Sequence, residues 1–262
     1  MMVTDKEYLD HIVFKDLNYY IEFYKSLSTS VFGFSTLGTS SIINIDTYIY
    51  SSIQGTLEST KLILTSGKIN DCFALTRKYY DSAVINIYSN LYLQDNFSIE
   101  SFVVTKINNW LHSKEKLPDY RVMSEYIRNS EKLKTINKLL YLDKRYKRTR
   151  DRCNDHAHYN FYEYILLNDS KVYSKNRLEA LNQLSEDLKN IFILHLAYIF
   201  FMNDHYMMSS DYVDYLDCGM TPEQDSQYWV APFIQEFFNN LLKKERPDIV
   251  FAIKESSKMQ LD

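Results

Sequence analysis

The sequence predicts an all-α protein, and three observations carry that expectation. Chain breakers are scarce, with 5 glycines and 4 prolines in 262 residues, although tight turns depend on those residues. Apolar residues recur at spacings of three and four over long stretches, the signature of helices with one buried face. No stretch alternates apolar and polar residues as a half-buried strand would. A hydrophobic content of 45% and a charged content of 24% are those of a globular chain long enough to bury a core, so disorder does not describe the whole.

Taken in order, residues 5–30 place Tyr8, Leu9, Ile12, Val13, Leu17, Tyr20, Ile21 and Tyr24 on one helical face. Residues 32–41 gather Gly, Ser and Thr without the GK[ST] of a phosphate loop, and read as an ordinary connection. A second helix is expected from Asn44 to Thr65, closed by Ser66-Gly67 at its C-cap. A third is expected from Asp71 to Gln94, capped by Asn70 or Asp71. The short link between them makes an antiparallel αα-hairpin. Within the third, Arg77 and Asp81 are spaced for an intrahelical ion pair.

A shorter helix is expected over Ile99–Leu111 with Trp110 as a core anchor, then a turn at 114–119 around Pro118. Arg121–Leu142 reads as one helix. The stretch from Asp143 to Asn160 reads as another, continuing into Tyr162–Leu167. Ser174–Met208 is the longest periodic segment and turns apolar all round after Ile191, as a central bundle helix does; His195 inside it reads as a core histidine bonded to a neighbour. Residues 209–219 read as a loop. Thr221-Pro222-Glu223-Gln224 has the form of a helix start, and Pro247 begins a final short segment with Ile249, Val250, Phe251 and Ile253.

The net charge of -4 argues against a protein that coats nucleic acid over its whole surface, and leaves room for a local basic site. Cys72, Cys153 and Cys218 are odd in number and widely separated, which fits a reducing cytoplasm and no disulfide framework. The N-terminus has no signal-peptide run, and Ile191–Met202 is too short to span a bilayer. The expectation is a cytoplasmic protein without a membrane partner.

One stretch concentrates the titratable groups. Lys144, Arg145, Lys147, Arg148, Arg150 and Arg152 fall within nine residues and are followed at once by Asn154, Asp155, His156 and His158. On a continuous helix, Arg152, His156 and Tyr159 share a face beside Asp155, and Asn154 and His158 share the adjacent one. The set suits phosphodiester cleavage. Histidine, with an ordinary pKa of about 6.5, can take or give a proton near neutral pH. A guanidinium grips phosphate oxygens in pairs and offsets charge in the transition state. On RNA the neighbouring 2′-OH is an internal nucleophile, so no metal or cofactor is required. Lys147, Arg148 and Arg150 would hold the backbone electrostatically.

Arg152-Cys-Asn-Asp-His-Ala-His158 resembles the R-x(4–6)-H motif of HEPN domains, and Asn154-Asp-His-Ala-His158 is similar to the N-x-x-A-H ending common there. Arg150-Asp-Arg-Cys-Asn-Asp-His156 fits a second register. Residues 71–87 resemble the family's helix before the motif. The resemblance implies an antiparallel helical bundle over residues 43–208 within a single all-α domain of residues 1–262, with an added N-terminal helix and a C-terminal helical extension at 209–262. It implies a homodimer, RNA as partner, and metal-independent cleavage by Arg152, His158, His156 and Asn154. Arg150, Arg148, Lys147, Asp155 and Tyr159 would bind RNA. An antitoxin or phage-defence partner is a further implication, and catalytically inactive binding or scaffold modules also occur in the family. Three plainer readings stay open. The run could be a solvated helix end paired through Asp143, Asp151 and Asp155, a metal site on Asp151, Asp155 and His158, or a Cys153–His156 nucleophile pair.

Overall fold

The computed structural model describes residues 1–262 and is helical throughout, with isolated bridges but no sheet. In chain order the helices are α1 (Lys6–Leu9), α2 (Ile12–Ser30), α3 (Ile45–Thr65), α4 (Ile69–Asn96), α5 (Thr105–Leu111), α6 (Tyr120–Asn129) and α7 (Lys134–Leu140). There follow α8 (Arg145–Ala157), α9 (Tyr162–Leu166), α10 (Arg177–Met202), α11 (Asp211–Asp217), α12 (Pro232–Phe237), α13 (Lys243–Glu245) and α14 (Pro247–Ser256). A π-helical turn at Phe238–Leu242 joins α12 to α13. No helix is long and apolar enough to cross a membrane.

The chain divides into two compact units. The first comprises Met1–Lys25, Tyr48–Val84 and Asp143–Phe192, and its core is largely aromatic. Phe192 packs on Tyr20 at 4.3 Å between ring centroids and on Phe23 at 5.1 Å. Buried Tyr24 and Tyr79 satisfy each other's hydroxyls at 2.9 Å. The turn from α3 to α4 is the expected Gly cap: Gly67, at φ +78°, bonds to the Leu64 carbonyl at 2.8 Å, and the Lys68 N–H to that of Ile63 at 3.1 Å. This double bond pattern closes a helix whose next residue must be left-handed. Arg177 is fully buried and donates to the carbonyls of Met1, Val172 and Asp169 at 2.6–2.9 Å. It tethers the N-terminus by serving backbone acceptors that would otherwise be buried unpaired.

The second unit comprises Ser26–Thr47, Ile85–Leu142 and Ile193–Asp262. Its core holds a polar hub. The Asp46 carboxylate accepts from Asn86 at 2.7 Å, Asn90 at 3.0 Å and the Tyr206 hydroxyl at 2.9 Å. Burial pushes Asp46 up to about 6 despite those bonds. His195 donates through Nε2 to Asn86 Oδ1 at 2.8 Å, as expected of a core histidine, and burial lowers it to about 3.

Several element boundaries differ from expectation, each for a local reason. The longest helix is α4, at 28 residues. It begins at Ile69, so Asn70 lies inside it and does not cap it. Residues 98–104 are irregular because their backbone is used elsewhere, the Val104 N–H bonding to Gly38 O at 2.8 Å. Ile107, not the half-exposed Trp110, is the anchor of α5. The helix expected over Arg121–Leu142 breaks after Asn129, and Asn137 donates to the freed carbonyls of Ile127 and Arg128 at 3.0 and 3.2 Å. Residues 211–217 are a helix where a loop was expected. Thr221-Pro222 starts no helix: Tyr228 O and Trp229 O accept from Gln260 and Ser209 at 2.8 Å each, which holds the strand-like bridges and delays α12 to Pro232. Finally, α8 and α9 are two helices and not one.

Candidate nucleic-acid interface

The sidedness of α8 decides what its unusual composition can do. Tyr146, Thr149, Cys153 and His156 are buried, at steps of three, four and three, and define the inward face. Lys144, Lys147, Arg148, Asp151 and His158 are exposed, while Arg145, Arg150, Arg152, Asn154 and Asp155 are half-buried along the edges. A helix this polar forms because one narrow stripe is apolar enough to bury, and its cations stay hydrated on the other side.

His156 lies in an aromatic sandwich. Its ring stacks on Phe73 of α4 at 3.7 Å and on Tyr164 of α9 at 3.8 Å between centroids. Its Nδ1 is 2.8 Å from Asn70 Oδ1, and Asn70 Nδ2 donates to the His156 carbonyl at 3.2 Å. That reciprocal pair assigns the proton to Nδ1. Burial, reinforced by the nearby Arg152 charge and opposed by Asp155, lowers His156 to about 4. The imidazole is therefore neutral at pH 7.

Two more residues of the motif reach partners on other helices. Arg152 Nε lies 3.1 Å from Oδ2 of Asp187 on α10, an ion contact without an aligned hydrogen bond. Asp187 also accepts from the Thr149 hydroxyl at 2.6 Å. Its carboxyl is raised to about 6 because burial outweighs the Thr149 bond and the Arg152 charge. Asn154 accepts from the Arg77 guanidinium, whose Nε holds Asp81 at 3.0 Å. The expected intrahelical pair is thus present, and it also ties α4 to α8. Cys153 is fully buried and its thiol is pushed well up by burial, which leaves it no thiolate to attack with.

The helix ends at Ala157, with His158 as its C-cap, and not at residue 167. Tyr159 adopts φ +49°, its N–H bonds to His156 O at 3.3 Å, and the Asn160 N–H bonds to Asp155 O at 3.0 Å. This is the closure seen at Gly67, here with a tyrosine in the left-handed position. Tyr159 therefore leaves the face expected to carry Arg152 and His156. Asp155 turns to Asn160, which donates to its carboxylate at 2.7 Å. The two histidines part company: His156 points into the unit, while the exposed His158 side chain makes no hydrogen bond or ion pair. Beyond it Tyr159, Phe161 and Tyr162 are 45%, 54% and 74% exposed.

Asn70, Phe73, Tyr164 and Asp187, which fix the inner face, carried no functional signal in the sequence. Asn70 stands where a helix cap is expected, Phe73 and Asp187 are ordinary residues on segments far along the chain, and Tyr164 is a nearby helix residue with no distinguishing pattern. No family model, curated protein or solved structure matches this chain.

Proposed function

We propose that this chain binds RNA along the outer face of α8 and cuts it without a metal, in the manner of HEPN ribonucleases. One observation carries the reading. The exposed, unengaged imidazole of His158 stands where the cationic face of α8 meets the exposed aromatics Tyr159, Phe161 and Tyr162. Cations that follow a phosphate backbone beside rings on which bases can stack make a single-strand binding surface. In the proposed step His158 removes the proton of a 2′-OH, and that oxygen attacks the adjacent phosphorus. The P–O5′ bond breaks, leaving a 2′,3′-cyclic phosphate and a 5′-hydroxyl that takes up a proton. Arg148 and Lys147 offset the charge gathered on the phosphate. A homodimer would bring a second His158 to donate that last proton. Arg152, Asn154 and His156 hold α8 in place and serve as positioning residues.

The test is incubation of labelled single-stranded RNA with the wild type and His158→Ala in EDTA. Cleavage by the wild type alone, with both proteins equally helical, supports the reading. A second reading, a catalytically inactive binding or scaffold module, is favoured by a specific observation: of Arg152, Asn154, Asp155, His156 and His158, all but His158 are engaged within the chain. Equal behaviour of the two proteins would select it.

A further inference from the structure

The proposed surface has a second feature, a cleft that shares Arg148 with backbone binding. A cleft of about 210 Å³ opens between α8 and α10, and the guanidinium-bearing residues Arg145, Arg148 and Arg152 all line it. Carboxylates line it too, so the balance must be drawn residue by residue. Asp143 is gripped by Arg145, at 2.9 Å between Oδ2 and Nη2, with a further bond from Nε. Glu186 is paired with Lys189 at 3.0 Å and accepts from Asn190 at 3.2 Å. Asp187, with 1% of its side chain exposed, takes Thr149 and Arg152. Each acid has a partner. Arg148, exposed, has no hydrogen bond or ion pair of its own, although its charge, with that of Arg145, acts on Asp143. An anion entering the cleft meets one guanidinium outside any ion pair and two more that can be shared.

We propose that this cleft receives a phosphomonoester, presented as the 5′-phosphorylated end of an RNA strand. A terminal phosphate carries three unesterified oxygens, enough to distribute among three forked guanidiniums. An internal phosphodiester offers two and must continue in both directions out of the cleft. The naming of RNA as carrier rests on the function proposed above; the phosphate site itself does not.

The experiment uses the full chain and two non-cleavable 2′-O-methyl decamers, one 5′-phosphorylated and one 5′-hydroxyl, with binding read by fluorescence anisotropy. Thermal unfolding with and without inorganic phosphate is read alongside. The phosphorylated strand should bind about tenfold more tightly, a difference of about 1.4 kcal/mol. Inorganic phosphate should compete away that advantage and raise Tm. Arg148→Glu should abolish both effects, while Lys171→Glu, an equal charge change at an exposed residue that does not line the cleft, should keep them. Equal affinity for the two strands in the wild type overturns the 5′-end assignment. No rise in Tm with phosphate, or the same rise in Arg148→Glu, overturns the site. A phosphate effect lost in Arg148→Glu with no binding of either strand leaves the site standing and refutes the RNA reading.

Discussion

Replacing His156 by phenylalanine should have an effect on stability that changes with pH. The flat ring keeps the stack between Phe73 and Tyr164 but loses the bond to Asn70 Oδ1 at 2.8 Å. Stranding that buried acceptor costs about 1–3 kcal/mol at pH 7. The wild type has its own weakness in acid. His156 is lowered to about 4 from an ordinary 6.5, so between those values the unfolded chain binds a proton that the folded chain refuses. A depressed base contributes stability that is present above the unfolded pKa and drains as pH falls through the folded one. Over that span the loss at this site is about 3 kcal/mol. Phenylalanine has no such loss, so the gap between the two proteins should close between about pH 6 and pH 4, and a gap of about 1 kcal/mol at pH 7 should reverse to about 2 kcal/mol in the other direction at pH 4. His195, Asp46 and Asp187 also titrate in this range, but they are common to both proteins and cancel in the difference. The assay is urea unfolding followed by circular dichroism at pH 7, 5.5 and 4. A gap that stays constant across the three would refute the reasoning, and would mean that the faces of Phe73 and Tyr164 hold an imidazolium by cation–π attraction.

Three other outcomes are expected. Asn154→Ala removes the acceptor through which Arg77 joins α4 to α8, and should lower stability by about 1 kcal/mol in the same unfolding assay. Gly67→Ala places a Cβ 2.7 Å from Val3 Cγ2 at φ +78°, and should cost at least about 1–2 kcal/mol, whereas Gly33→Ala, with nothing within 4 Å, should be nearly neutral by Tm. Tyr159→Gly relieves a left-handed residue at the end of α8 and should raise stability by about 1 kcal/mol, while Ala157→Gly, one turn-position inside the helix, should lower it by a similar amount.

Helix existence was legible wherever periodicity ran uninterrupted, as in α3, α4 and α10, and so was the Gly67 cap, because a glycine after an apolar run has a specific backbone use. The Arg77–Asp81 pair and the buried His195 were legible from spacing and from the apolar run around the histidine. The end of α8 was not. Its closure uses Tyr159, and the usual sign of a left-handed stop is glycine or asparagine. That closure takes Tyr159 off the face of Arg152 and His156, whereas His156 and His158, two positions apart on a helix, face different sides whatever follows them. The inner face of α8 was hidden for a different reason: Asn70 and Asp187 lie 86 and 35 positions from their partners His156 and Arg152, and no local pattern encodes such a pairing. The false start at Thr221-Pro222 had the same origin, since distant bridges claimed the backbone that the local signal would have coiled.

The central claim is that His158 acts on a 2′-OH, and one substrate tests it most directly. An RNA cut by the wild type in EDTA is remade with a single 2′-deoxy nucleotide on the 5′ side of the scissile phosphate. The account predicts that cleavage at that bond stops while binding is unchanged, and that the unmodified RNA yields a 2′,3′-cyclic phosphate. Cleavage of the deoxy-substituted bond at an undiminished rate would contradict it, because the nucleophile would then have to come from elsewhere.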